Sequence, residues 1–204
     1  SAAVGSYDAL MADKAPAGRD LAAAWQLTLD EGDPCTAAQR QQVQCFRGDG
    51  SSLALIRTLD RPGLLTLHGG ESGEAQAYAL LIGLGDDAAT VRIGETAHTV
   101  PLKALAKVWR GDFATFWRAP PGYARTLQSG QSGPAVDWLV DQLAALEGRA
   151  PSPGPHRVDE ALKSDVSAFQ VAHGLKPDGL AGPTTFMQLN RARGIDEPRL
   201  LPPR

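Results

Sequence analysis

Between Ala168 and Leu189 the chain carries its own punctuation: Ala168-Phe169-Gln170-Val-Ala-His-Gly174-Leu175-Lys-Pro-Asp178-Gly179-Leu-Ala-Gly182-Pro183-Thr184-Thr185-Phe186-Met-Gln-Leu189. Gly174 can take the left-handed conformation that closes a helix, Asp178-Gly179 supplies a turn, and Gly182-Pro183 opens a new helix with proline at its first position. Leu162, Val166, Phe169 and Ala172 form one apolar stripe at helical spacing, and Phe186 and Leu189 begin another. The segment therefore reads as helix, loop, helix, and no cofactor is needed to explain it. Upstream, Val136, Leu139, Val140, Leu143 and Leu146 share one face of a further helix, entered through the Gly-rich turn Gly130-Gln-Ser132-Gly133-Pro134. Together these predict a small three-helix unit.

The order Phe-Gln, three residues, Gly-Leu, two residues, Asp-Gly, two residues, Gly-Pro, one residue, Thr, three residues, Leu resembles the second half of the type 1 peptidoglycan-binding domain. The helix from Gly133-Pro134 resembles that family's first helix. The resemblance implies a groove that meets the peptide stems of the wall, with Gln170, Asp178, Gly179, Thr184 and Thr185 as the expected contacts. One departure stands out: the family's middle turn, Asp-Gly-x-Phe-Gly, is here Pro155-His156-Arg157-Val158-Asp159, so no contact is carried over to it.

Before this unit the pattern is one of strands. Leu64–Leu67 is short and apolar, Ala75–Leu84 is longer, Ala89–Ile93 alternates, and Gly85-Asp86-Asp87 marks a hairpin between the last two. His98–Val100 continues the sheet, Pro101 begins a helix through Leu102, Leu105 and Val108, and Gly111–Arg118 reads as a final strand. This is an α+β arrangement, an antiparallel sheet with helices around it. Arg61-Pro62, the strand centred on Tyr78, the helix ending near Trp109 and the Gly111 to Phe116-Trp117-Arg118 close resemble the C39-like, papain-like peptidase fold. Such a peptidase needs a thiolate at a helix N-terminus, a His to shuttle its proton and an acid or amide to orient that His. Set against the family, the base position holds Ala77, the orienting position falls at Val91-Arg92-Ile93-Gly94, and the nucleophile helix reads Leu21-Ala-Ala-Ala-Trp25-Gln26. The resemblance thus implies a degenerate domain without catalysis.

The remaining candidates have plainer readings. His68 is expected to be a solvated residue at a strand end and His98 a surface strand residue, while His173 precedes Gly174 at a helix end where a cation is favoured. His156 and Asp159 form only a weak zinc pair, and no metal is expected. Gly69-Gly70-Glu71-Ser72-Gly73 lacks the Lys and Ser/Thr of a phosphate loop and reads as a hairpin tip. Trp138 and Phe169 have apolar neighbours at helical spacing, which points to core packing.

Two cysteines occur, Cys35 and Cys45, ten residues apart, which fits neither a CxxC redox pair nor a zinc knuckle. A helix after Pro34 followed by a strand at Cys45 can bring the thiols together, so a disulfide is expected, with two buried unpaired cysteines as the alternative. A bridge would place the chain in an oxidising compartment. Net charge is −3, carried by residues 1 to 124, while residues 125 to 204 balance at nine basic and nine acidic groups. No basic field for nucleic acid or anionic lipid exists. The chain has no apolar run near the ~20 residues that a membrane span requires and no signal-peptide pattern; it begins with Ser1 rather than Met, as an excised fragment once preceded by a signal or anchor would.

The prolines of Ala119-Pro120-Pro121-Gly122 mark a linker. The expected organisation is a degenerate C39-like domain over 1–120, a peptidoglycan-binding domain over 121–195 and a flexible tail over 196–204, with at most a short helix in the first twenty or so residues. This order resembles the periplasmic region of the type II secretion ATPases of the general secretion pathway protein A family. The resemblance implies an ATPase domain and one membrane helix before Ser1, periplasmic placement, and wall binding with self-association and a general secretion pathway protein B partner, in support of secretin assembly. A cysteine peptidase or wall hydrolase targeted by the same module is the rival reading, and a wall anchor for another machine is the third.

Overall fold

The computed structural model describes residues 16–29, 32–69 and 75–202. The described residues up to Phe116, joined by those from Pro198 onward, form one compact unit, and Trp117–Glu197 form the other. The hairpin tip expected at Gly69–Gly73 falls, apart from Gly69, outside the described residues, as does most of the N-terminal stretch.

The first unit holds α1 (Pro16–Ala24), α2 (Pro34–Arg40), β1 (Val43–Gly48), α3 (Leu53–Leu59), β2 (Gly63–Gly69), β3 (Ala75–Leu84), β4 (Ala88–Ile93), β5 (Thr96–Pro101), α4 (Leu102–Val108) and β6 (Trp109–Arg118), whose last two residues cluster with the second unit. The sheet order is β1-β6-β2-β3-β4-β5. β2 pairs antiparallel with both β3 and β6, and the β3–β4 and β4–β5 pairs are antiparallel hairpins. The α+β reading holds, and the four strands expected from β2 to β5 are all present. Alternation divides the sheet into two faces. On one, Leu64, Leu80, Ala114 and Phe116 pack with Leu21, Ala22 and Trp25 of α1 and with Ala38 and Val43. Burying one such aliphatic or aromatic side chain contributes about 1.5–3 kcal/mol.

Two features set the geometry of this unit. Gly63 lets β2 approach β6, because a Cβ there would stand 2.2 Å from the Phe113 ring. Arg61, wholly buried, donates from Nε to the Leu59 carbonyl (3.4 Å) and from Nη1 to the Phe116 carbonyl (3.2 Å), with its guanidinium 6.0 Å from the Trp25 ring centroid. The neighbouring Pro62 carbonyl accepts from Thr115 Oγ1 (2.8 Å). The Arg-Pro pair therefore ties the entrance of β2 to β6.

Three expectations need correcting. His68 is not a solvated loop residue: it sits within β2 opposite Gln76 and is 9% exposed, because β2 extends to Gly69 on a ten-residue β3. The segment Leu53–Leu59, to which the sequence pattern assigns no element, is a helix; Ser52 caps it by accepting from the Leu55 N–H (3.1 Å). The end of the chain is not a flexible tail through 202, since the Leu201 N–H donates to the Ile82 carbonyl (2.8 Å) and Arg199 pairs with Asp60.

Cys35 and Cys45 are bonded to each other across a Cα separation of 5.6 Å, joining α2 to β1. Asp33 caps α2 by accepting from the Cys35 and Thr36 N–H groups, and its carboxylate is held below its ordinary value chiefly by the Thr36 hydroxyl. Replacing both cysteines by serine is expected to cost about 3 kcal/mol, from the loop-closure entropy of so short a ring. The shift in denaturant midpoint measures this. Non-reducing peptide mapping of the unmodified protein should recover the linked peptides, and two alkylatable thiols in the folded chain would contradict the bridge.

Candidate functional site: a glutamine-centred helix–loop–helix

The second unit is built on α5 (Pro134–Leu146), α6 (Glu160–Ala172) and α7 (Pro183–Ala192). α5 and α6 each bury one face, Val136, Leu139 and Leu143 on the first, Leu162, Val166 and Phe169 on the second. By contrast, α7 buries six consecutive residues, Thr185 to Asn190, and so forms the centre of the unit. Phe186 stacks on Trp117 at 5.9 Å, with Tyr123 at 5.4 Å and Trp138 at 5.8 Å completing an aromatic cluster. Burial pushes the Tyr123 phenol up to about 12. Trp138 and Phe169 are thus packing residues, as expected, while Ala172 is exposed rather than part of the stripe.

The local rules read from the sequence operate here. Gly174 is left-handed (φ +71°) after α6, and Gly182 precedes Pro183 at the start of α7. Gly182 is also confined, because a Cβ would stand 2.8 Å from Thr126 Oγ1. The divergent turn at Pro155–Asp159 keeps its structural work: the Asp159 carboxylate accepts from the Leu162 N–H (2.8 Å) to cap α6, and Val158 exchanges backbone bonds with Gln131 and Gly130. His156 donates its backbone N–H to Asp137 Oδ1 (2.8 Å), and Asp159 is occupied as a helix cap. Among the described residues no group of His, Cys, Asp and Glu could hold a metal ion.

Gln170 organises the loop between α6 and α7. Its amide nitrogen lies 3.0 Å from each of Asp178 Oδ1, the Leu180 carbonyl and Thr185 Oγ1, and its amide oxygen accepts from the Gly179 N–H at 2.9 Å. The Asp178 carboxylate also accepts from the Leu180 N–H (2.9 Å). Gly179 is left-handed (φ +71°), and a Cβ there would meet the Lys163 carbonyl at 3.1 Å. Gln170 is 2% exposed and Thr185 3%. Four of the five residues singled out from the sequence, Gln170, Asp178, Gly179 and Thr185, therefore meet in one hydrogen-bonded network. Thr184, half-buried on the first turn of α7, is not joined to it by these bonds. The buried members shape the loop; Asp178, Thr184 and the 43% exposed Leu180 are the ones turned toward solvent. Sequence reasoning passes over Leu180, because an isolated leucine in a loop reads as core.

Residues 132–189 match the family described as "Putative peptidoglycan binding domain". The fold and the match together define an α+β sheet domain followed by a helical domain that is similar, over residues 132–189, to the peptidoglycan-binding family. Along most of its length the chain is homologous to a General secretion pathway protein A from Aeromonas hydrophila, at 34% identity over 177 residues, which is 86% of this chain and 31% of that protein. The chain spans about a third of the length of the curated relatives it matches. Its fold is that of a periplasmic domain of the EpsAB fusion protein of the Vibrio vulnificus type II secretion system, at TM-score 0.53 and 24% identity, covering 95% of this chain and 83% of that one. A peptidase C39-like domain of a toxin secretion ATP-binding protein from Vibrio parahaemolyticus aligns with 54% of this chain and 97% of its own at TM-score 0.38 and 18% identity.

Gln170→Ala removes these bonds and leaves the buried Gly179 N–H without an acceptor. A loss of about 2–4 kcal/mol is expected, combining the unsatisfied donor with a cavity. Denaturant unfolding followed by tryptophan fluorescence reports it, and a loss under about 0.5 kcal/mol, the range of a surface substitution, would show that the network does not hold the loop.

Proposed function

We propose that this chain is a wall-tethering, non-catalytic segment of a type II secretion assembly protein, acting in the periplasm. The observation that carries the reading is the ordered loop Asp178–Thr185, held by Gln170 between the two helices of a peptidoglycan-binding domain. Backbone amides and short polar groups of that loop suit the carboxylates and amides of wall peptide stems. Asp178 and Thr184 are the direct contacts in this reading, joined by Leu180, while Gln170, Gly179 and Thr185 act by fixing the loop. Periplasmic placement is supported by the disulfide, which oxidising compartments preserve, and by the secretion-system relatives.

Absence of catalysis is supported by where the family's functional positions fall. Ala77 is an exposed residue on β3, Arg92 forms an ion pair with Asp20 (3.8 Å), α1 presents alanines, and both cysteines are consumed in the bridge. The first unit is then free to serve as a subunit contact. Tethering many copies on one polymer raises their effective concentration, so weak contacts among them, or with a general secretion pathway protein B partner, become productive and support secretin assembly. Anchoring in the inner membrane would come from a segment outside this chain.

Purified peptidoglycan should pellet the full chain, and the second unit alone, residues 117–197, should pellet with it. Cosedimentation of the first unit without the second would reverse the assignment. Dye-labelled wall and peptide substrates should yield no product; product that disappears on Cys35→Ala or Cys45→Ala would establish the peptidase reading instead. Chemical crosslinking should show higher species on addition of wall fragments, and an unchanged monomer band at saturating wall would leave anchoring without assembly.

A further inference from the structure

We propose that the sheet unit carries a docking groove for an extended basic segment of a partner protein, with arginine followed two residues later by leucine and then proline. The chain's own Pro198–Pro202 shows the seat by occupying it in cis. This proposal is independent of wall binding.

The groove begins where β3 breaks its pairing with β4. The register between them shifts between Leu81 and Gly83, which leaves Ile82 at a bulge. Its carbonyl is turned to a different partner and accepts the Leu201 N–H at 2.8 Å, and Gly83 and Leu201 form a parallel bridge. An incoming backbone is therefore already read as an added strand, a recurring way to bind extended peptides. Gly83 keeps the approach open, since a Cβ there would lie 3.6 Å from the Leu201 carbonyl and 3.3 Å from Thr90.

A second element reads charge. Asp60 ends α3 in the left-handed conformation (φ +50°), and its Oδ2 accepts from Arg199 Nε (2.9 Å) and Nη2 (2.6 Å). An arginine fork on one carboxylate oxygen, two residues before the backbone bond at Leu201, defines a short recognition register.

The groove is larger than its occupant. A cavity of about 560 Å³ extends beside Leu201 and is lined by Gly83, Asp86, Asp87, Thr90 and Thr99, and another of about 410 Å³ lies among Arg57, Asp60 and Arg199. Leu201 remains 54% exposed in its place. Asp60 at one end and the exposed Asp86 and Asp87 at the other outnumber Arg57, among the described residues the one cation of the groove wall, whose Nη2 donates to the Gly85 carbonyl (3.1 Å), so the field favours a basic ligand longer than the cis segment. Because the cis segment competes, a partner's apparent affinity is lowered by the fraction of time the groove is closed.

The probe is a fluorescent peptide Pro-Arg-Leu-Leu-Pro-Pro, the sequence of residues 198–203, titrated into the full chain. The variant Arg199→Glu/Leu201→Asp, which vacates the seat, should bind it at least about tenfold more tightly than the unmodified chain. Adding Asp60→Arg should abolish that gain, and a peptide carrying Glu in place of Arg should restore it. Equal affinity of the vacated and unmodified chains, or binding indifferent to Asp60, overturns the proposal. Should the vacated variant unfold, the unmodified chain decides: saturating peptide is expected to shift the amide resonances of Gly83, Asp87 and Leu201, and unshifted signals overturn it equally.

Discussion

The buried amide of Gln170 is the interaction on which the loop between α6 and α7 of the helical unit depends. A primary amide offers both donors and an acceptor on one small planar group, and here all are directed into the loop between α6 and α7. In a site 2% exposed, each unmade bond would leave a polar atom desolvated, so the loop has few alternative arrangements. Gly179 supplies the one backbone conformation that turns its N–H to the Gln170 oxygen, and Thr185 ties the first turn of α7 to the same group. In the proposed reading this rigidity favours binding of the wall polymer, because ordering the loop in advance removes an entropy cost from binding.

Local chemistry makes this half of the molecule legible in the amino-acid sequence. Gly174, Asp178-Gly179 and Gly182-Pro183 each solve a short-range problem, a helix end, a turn and a helix start, and such solutions do not depend on distant residues. Gln170, by contrast, reads as a ligand contact, because nothing in the spacing of one glutamine says that its partners are the loop's own backbone. The Cys35–Cys45 bridge is legible for the same local reason, a helix and a strand ten residues apart. What the sequence hides is long-range. His68 is buried by strand pairing with Gln76, Arg61 by the carbonyl of Phe116 fifty-five residues on, and the chain end by Asp60 and Ile82, more than a hundred residues away.

The order of the sheet unit comes from a buried arginine, close β2–β6 packing at Gly63 and a disulfide, none of which requires a nucleophile or a base. A fold held in this way can keep its shape whatever chemistry its surface carries. In the proposed reading that surface is given to recognition, and the open bulge at Ile82 is where it accepts another strand. The proposed division of labour has the helical unit hold the wall and the sheet unit hold protein.

Amide chemical-shift perturbation of the isotope-labelled full chain by soluble peptidoglycan fragments tests the central claim most directly. Saturable shifts centred on Asp178–Thr185, with the signals of β2 to β5 unmoved, are the expected result. Shifts confined to the sheet unit, or none at any fragment concentration, would contradict the assignment of this loop as the wall-binding site.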